Sequence, residues 1–126
     1  MLFDWFEEGH VLGRHRVCLD EQMFERWEAL FPDEGNAEVM PPGMASPVMM
    51  QAYAAILNRK PPGNIHGGQI FSFRGFPRRG EQVTTEFRCL SKTLRNGRRW
   101  LELGLTSSSD SGEVYWTGKM TVLWAQ

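Results

Sequence analysis

From Val48 to Leu57 the chain reads VMMQAYAAIL, apolar at almost every position. A segment with no polar side predicts a helix enclosed by the rest of the fold. It is far shorter than the ~20 apolar residues that cross a bilayer. The stretch 41–60 carries matching signals at both ends. Ser46 followed by Pro47 predicts an N-cap and first helical residue. Arg59, Lys60 and the run Pro61-Pro62-Gly63 predict the stop. Within this helix Gln51 and Tyr53 are the polar groups that could face a pocket, and packing against a sheet is the favoured reading for them.

The remaining pattern is shorter in period. Upstream, Val11, Val17 and Leu19 alternate with Arg14 and Arg16, which predicts a strand over 10–19 interrupted at Gly13. Asp20 then caps a helix whose apolar stripe is Met23, Phe24, Trp27, Leu30 and Phe31, and Pro32 ends it. Downstream, strands are predicted over 65–73, 82–90, 100–106 and 114–124. The clearest alternation sets Val83, Thr85, Phe87 and Cys89 against Gln82, Thr84, Glu86 and Arg88. Asn96-Gly97 predicts a two-residue hairpin, because both residues tolerate positive φ. Gly118 lies among apolar residues where a neighbour can approach closely. The order is strand, short helix, long helix, then about four antiparallel strands. It predicts an α+β protein in which one antiparallel sheet wraps a central helix, the layout of a hotdog fold. The length fits a single domain, 1–126.

Charge adds little to that outline. The formal net charge is −1, so no overall field draws the chain to nucleic acid or membrane. Residues 1–38 hold ten of the fifteen acids, whereas residues 74–99 hold eight bases and two acids. Solvated turns are one reading of that basic stretch, and a site for phosphates is the other. Cys18 and Cys89 are the only cysteines, with no Cys-x-x-Cys and no pairing of His with Cys at metal-ligand spacing, so no metal site is expected. The acidic start MLFDWFEEGH lacks the basic and apolar regions of a signal peptide, which predicts a cytoplasmic protein.

Four segments, spread over nearly the whole chain, resemble the MaoC-like hotdog family of R-specific enoyl-CoA hydratases and dehydratases. These are FDWFEEGHVLGRHRV, FERWEALFPD, PPGMASPVMM and FPRRGEQVTTEFRCLSKTLRNGR. The resemblance implies a double-hotdog dimer that holds an acyl thioester of coenzyme A or of a carrier-bound phosphopantetheine, with no other cofactor. It implies an Asp and a His ahead of the central helix to activate water, and a backbone N–H at the helix start for the thioester oxygen. A carboxylate and an imidazole can share a water in this way, and a helix N-terminus suits developing negative charge.

Carried onto this chain, Asp33 stands at the position of the family's Asp, with Asn36 nearby, and Glu38 stands where an imidazole is expected. Asp33 and Asn36 read equally well as turn residues closing the first helix. Gly43 and Met44 are the candidate oxyanion amides, and Arg78, Arg79, Arg95 and Arg98 the candidate contacts for the phosphates of coenzyme A. His10, His15 and His66 all fall in predicted strands or at their ends, and His66-Gly67-Gly68 reads as a strand start. Three functions follow. One is an acyl-thioester hydratase or dehydratase. The second is a non-catalytic acyl-binding subunit paired with an active hotdog partner. The third is a thioesterase, which usually needs a carboxylate near the central helix, where this helix offers none.

Overall fold

The computed structural model describes residues 1–35 and 37–126. Five strands form one antiparallel sheet: β1 (Val11–Cys18), β2 (Ile65–Phe73), β3 (Gln82–Arg95), β4 (Arg98–Ser108) and β5 (Val114–Trp124), in the order β1-β3-β4-β5-β2. Two α-helices, α1 (Glu21–Leu30) and α2 (Ala45–Ile56), precede β2. The sheet wraps the helical layer, which is the α+β arrangement expected from the pattern.

The alternation of β3 accounts for the core. Val83, Thr85, Phe87 and Cys89 are buried on the helix side, while their neighbours stay half-exposed or exposed. Leu101, Leu103, Leu105 and Ser107 of β4 join them, as do Trp116, Met120, Val122 and Trp124 of β5. Register places Thr85, Ser107, Trp116 and Phe73 side by side across four strands. The hydroxyls of Thr85 and Ser107 pair at 2.7 Å, so two buried polar groups satisfy each other. At Gly118 a Cβ would stand 2.8 Å from the Ile70 carbonyl oxygen and 3.1 Å from Leu105 Cγ. A glycine there lets the two strands and the Leu105 side chain close up. The predicted hairpin is present, with φ of 53° at Asn96 and 74° at Gly97.

Trp100 lies on the sheet face opposite Leu101 and is only half-buried, whereas Trp116 and Trp124 are in the core. Several expectations change. Helix α1 is capped as expected, Asp20 Oδ1 accepting from the Met23 N–H at 2.9 Å. Its apolar stripe is buried only at Phe24, since Leu30 is 73% exposed. Helix α2 starts earlier than Ser46. A 3-10 turn over Pro42–Met44 feeds directly into it, so Ser46-Pro47 lies inside the first turn. Pro47 fits there because N–H groups of a first turn have no helical acceptor. The helix ends at Ile56, before Arg59 and Lys60.

Helix α2 is also not enclosed on all sides. Val48, Met49, Ala52 and Tyr53 are buried, while Met50, Gln51, Ala54 and Ala55 are exposed. It packs chiefly on β1 and β3. Ile56 Cγ2 approaches to 3.1 Å of the place a Gly13 Cβ would occupy. Tyr53 points inward near Phe87, ring centroids 6.1 Å apart. The apolar composition of 48–57 therefore reports one buried face and one small-residue outer face.

Candidate functional site

The lead-in to α2 is set by Pro41 and Pro42. Their fixed φ prepares the tight turn at Gly43 and Met44. The Met44 N–H is committed to the Pro41 carbonyl at 3.0 Å. The Gly43 N–H has no acceptor among the described residues, and Gly43 is exposed. Of the two amides picked out in the sequence, Gly43 is thus the one open to a ligand.

Trp27 of α1 covers this turn. A Cβ on Gly43 would lie 2.8 Å from both Cζ2 and Cη2 of the indole, so only glycine leaves room for the ring. The indole stacks on Phe31 with centroids 4.4 Å apart. Its Nε1–H donates to the Glu34 carboxylate. Glu34 and Gly43 therefore meet the same indole. The sequence pattern placed Trp27 only in the apolar stripe of α1 and did not single out Glu34. Their seven-residue separation spans the helix end at Pro32, which hides a contact that only the turn creates.

Asp33 and Glu34 belong to a 3-10 turn over Pro32–Glu34. The Asp33 side chain is exposed and makes no hydrogen bond or ion pair among the described residues. Asn36 lies outside the described residues. Glu38 is exposed, and its carbonyl accepts from the Arg79 N–H at 2.8 Å beside a single bridge between Val39 and Arg78. Glu38 and Val39 are thereby fastened to the segment before β3.

Arg79 is the main fastening. Its Nη1 lies 3.0 Å from Glu21, its Nη2 2.7 Å from Glu28 and its Nε 3.0 Å from the Ala37 carbonyl. Its guanidinium also stands 4.2 Å above the Phe24 ring. The Glu28 hydrogen bond, with Glu21 beside it, raises the Arg79 pKa above its ordinary value. Arg78 is exposed next to it. Arg95 and Arg98 flank the Asn96-Gly97 hairpin, with Arg95 5.2 Å from the Trp100 ring. The two pairs lie at opposite ends of β3, fourteen residues long, which is roughly 43 Å of strand. One chain does not bring the four arginines together.

No histidine belongs to α1, α2 or the 3-10 turns of this site. His10 precedes β1 and pairs with Glu7 at 3.2 Å, His15 is within β1, and His66 is in β2 with Nε2 3.0 Å from the Gly68 carbonyl. Between α1 and α2, next to Gly43, a groove of about 350 Å³ opens over Met23, Trp27, Leu30, Met44 and Pro47. No helix of the described chain is long and apolar enough to cross a membrane.

Solved structures with this architecture are numerous. The R-hydratase PhaJ1 from Pseudomonas aeruginosa aligns with a TM-score of 0.83 at 16% identity, covering 98% of this chain and 85% of that one. A MaoC-like dehydratase from Rhodospirillum rubrum aligns at 0.77 and 15% identity, covering 100% and 98%. The HadBC (3R)-hydroxyacyl-ACP dehydratase complex from Mycobacterium tuberculosis aligns at 0.72 and 15%, covering 92% and 96%. No family model and no curated protein matches the chain. At these identities the likeness is one of fold. The chain is a hotdog protein, and its fold is that of the MaoC-like hydratases and dehydratases.

Proposed function

We propose that this chain binds acyl thioesters, with the thioester carbonyl against the Gly43 N–H and the acyl chain towards the groove under Trp27. The observation that carries this reading is the open Gly43 amide at the foot of α2, beside an apolar groove, in a fold otherwise seen in thioester hydratases. An N–H at the start of a helix favours the partial negative charge of a polarised carbonyl oxygen.

The chain holds its substrate as one half of a pair and does not hydrate it alone. Hydration across an enoyl double bond needs a base for water and an acid for the neighbouring carbon. Asp33, Glu34 and Glu38 supply carboxylates, but the loop 31–44 contains no imidazole, and all three histidines lie on or beside the sheet. The partner is a second hotdog chain or a copy of this one, docked at β2. That edge carries no acidic or basic residue from Ile65 to Phe73 apart from His66, and it exposes Ile65, Ile70 and Phe73. The opposite edge, β1, carries Arg14 and Arg16, each in an ion pair. An apolar uncharged edge invites strand pairing, whereas a charged one resists it.

A hydratase reading of the isolated chain is kept alive by one observation, an exposed Asp33 with no hydrogen-bond or ion-pair partner among the described residues. The experiment is hydration of crotonyl-CoA followed by absorbance, with binding of butyryl- and crotonyl-CoA measured in parallel. The expected result is binding of both thioesters without turnover. Turnover that falls ~10²–10⁴-fold in Asp33→Asn would make the chain an enzyme with Asp33 as base. Failure to bind either ester would remove the thioester reading.

A further inference from the structure

The groove between α1 and α2 has a second chemical feature that thioester binding does not use. Five of its lining residues, Met23, Trp27, Leu30, Met44 and Pro47, are apolar, and the other two are Arg26 and Gln51. Neither Arg26 nor Gln51 has a hydrogen-bond or ion-pair partner among the described residues. On α1 the positions three and four residues from Arg26 are Gln22, Met23, Ala29 and Leu30, so no carboxylate reaches it along the helix. The wall contributed by α2 and its lead-in is neutral throughout. Arg14, Arg16, Arg79 and Arg88 each stand within 4 Å of a carboxylate, whereas Arg26 is an arginine without one among the described residues that also lines an apolar groove. An unpaired guanidinium is a strong, forked recognition element for a carboxylate.

We infer that this groove is a binding site for a medium-chain alkyl carboxylate. The chain lies on the Met23, Leu30, Met44 and Pro47 side chains and across the Trp27 ring. The carboxylate meets the Arg26 guanidinium, and the Gln51 carboxamide donates to it. The groove's 350 Å³ is at the small end of the ~300–1,000 Å³ of ligand sites, which suits a short amphiphile. A few polar groups in a mainly apolar lining are the usual make-up of such a site. Docking of a partner along β2 leaves it open, because α2 packs on β1 and β3 at the other side of the sheet. The site does not require a thioester at Gly43.

The test is calorimetric titration of the full chain with octanoate, octan-1-ol and octylammonium, repeated on Arg26→Gln and Gln51→Leu. The expected order is octanoate tightest, with octylammonium at least tenfold weaker. Arg26→Gln should weaken octanoate about tenfold and leave octanol within a factor of two. Equal binding of octanoate by wild type and Arg26→Gln, or no octanoate binding in a chain shown folded by its near-ultraviolet circular dichroism, overturns the inference. So does a change of oligomeric state in Leu30→Glu, which would make the groove a contact between copies. Octanoate and the acyl chain of a thioester would share this groove, so binding of butyryl-CoA without binding of octanoate would overturn this inference and leave the thioester reading standing.

Discussion

The indole of Trp27 occupies the space a side chain on Gly43 would need, with two ring carbons 2.8 Å from the Cβ position. That contact is below the ~3.0 Å that packed atoms tolerate without a shift, so Gly43→Ala must displace the ring or the turn. The expected cost is ~1–3 kcal/mol in urea melts. In a Trp27→Leu background the same change should cost under ~0.5 kcal/mol, because the two sites are coupled through direct contact. Equal costs in the two backgrounds would mean the ring does not bear on Gly43.

Trp116 and Trp100 should behave differently. Trp116 is fully buried and its ring lies 6.0 Å from Phe73, so Trp116→Ala should cost ~3–5 kcal/mol. Trp100 is on the other face under Arg95, and its replacement by Ala should cost about 1 kcal/mol or less, as surface changes do. Reversed magnitudes would invert the sheet's two faces.

Alkaline stability should depend on Tyr115. Burial, and after it the Glu81 carboxylate that accepts its O–H, pushes this phenol up to about 12. The folded state thus favours the neutral phenol. Its contribution to stability is complete below the unfolded value of 10.0 and is lost as pH rises towards 12. Wild type minus Tyr115→Phe should give a stability difference that is constant at neutral pH and shrinks across that window. A difference that does not change with pH would remove the titration from the account.

Much of this fold was legible because strand alternation and turn chemistry are local. The faces of β3, the Asn96-Gly97 turn and the Asp20 cap could each be read from a few adjacent residues. Helix α2 was harder. Its outer face is built from Ala54, Ala55 and Met50, which look like core in a sequence and are exposed in the structure. At the site, Asp33 and Gly43 stood out through family resemblance. Trp27 and Glu34 did not, because their contact depends on how the 3-10 turn at Pro32 folds back across α1. Arg79 stood among the candidate phosphate contacts because Glu21 and Glu28, which hold it, are more than fifty residues away in the chain.

The most direct test of the thioester account is calorimetric titration of the full chain with free coenzyme A and with its acetyl, butyryl, hexanoyl and octanoyl esters. Each methylene buried in the groove should contribute up to ~0.8 kcal/mol, about a fourfold drop in Kd per carbon, until the groove is filled. Free coenzyme A should bind far more weakly than the octanoyl ester. Affinity that is indifferent to the acyl chain, or matched by coenzyme A alone, would contradict the claim that the Gly43 turn and the Trp27 groove form an acyl-thioester site.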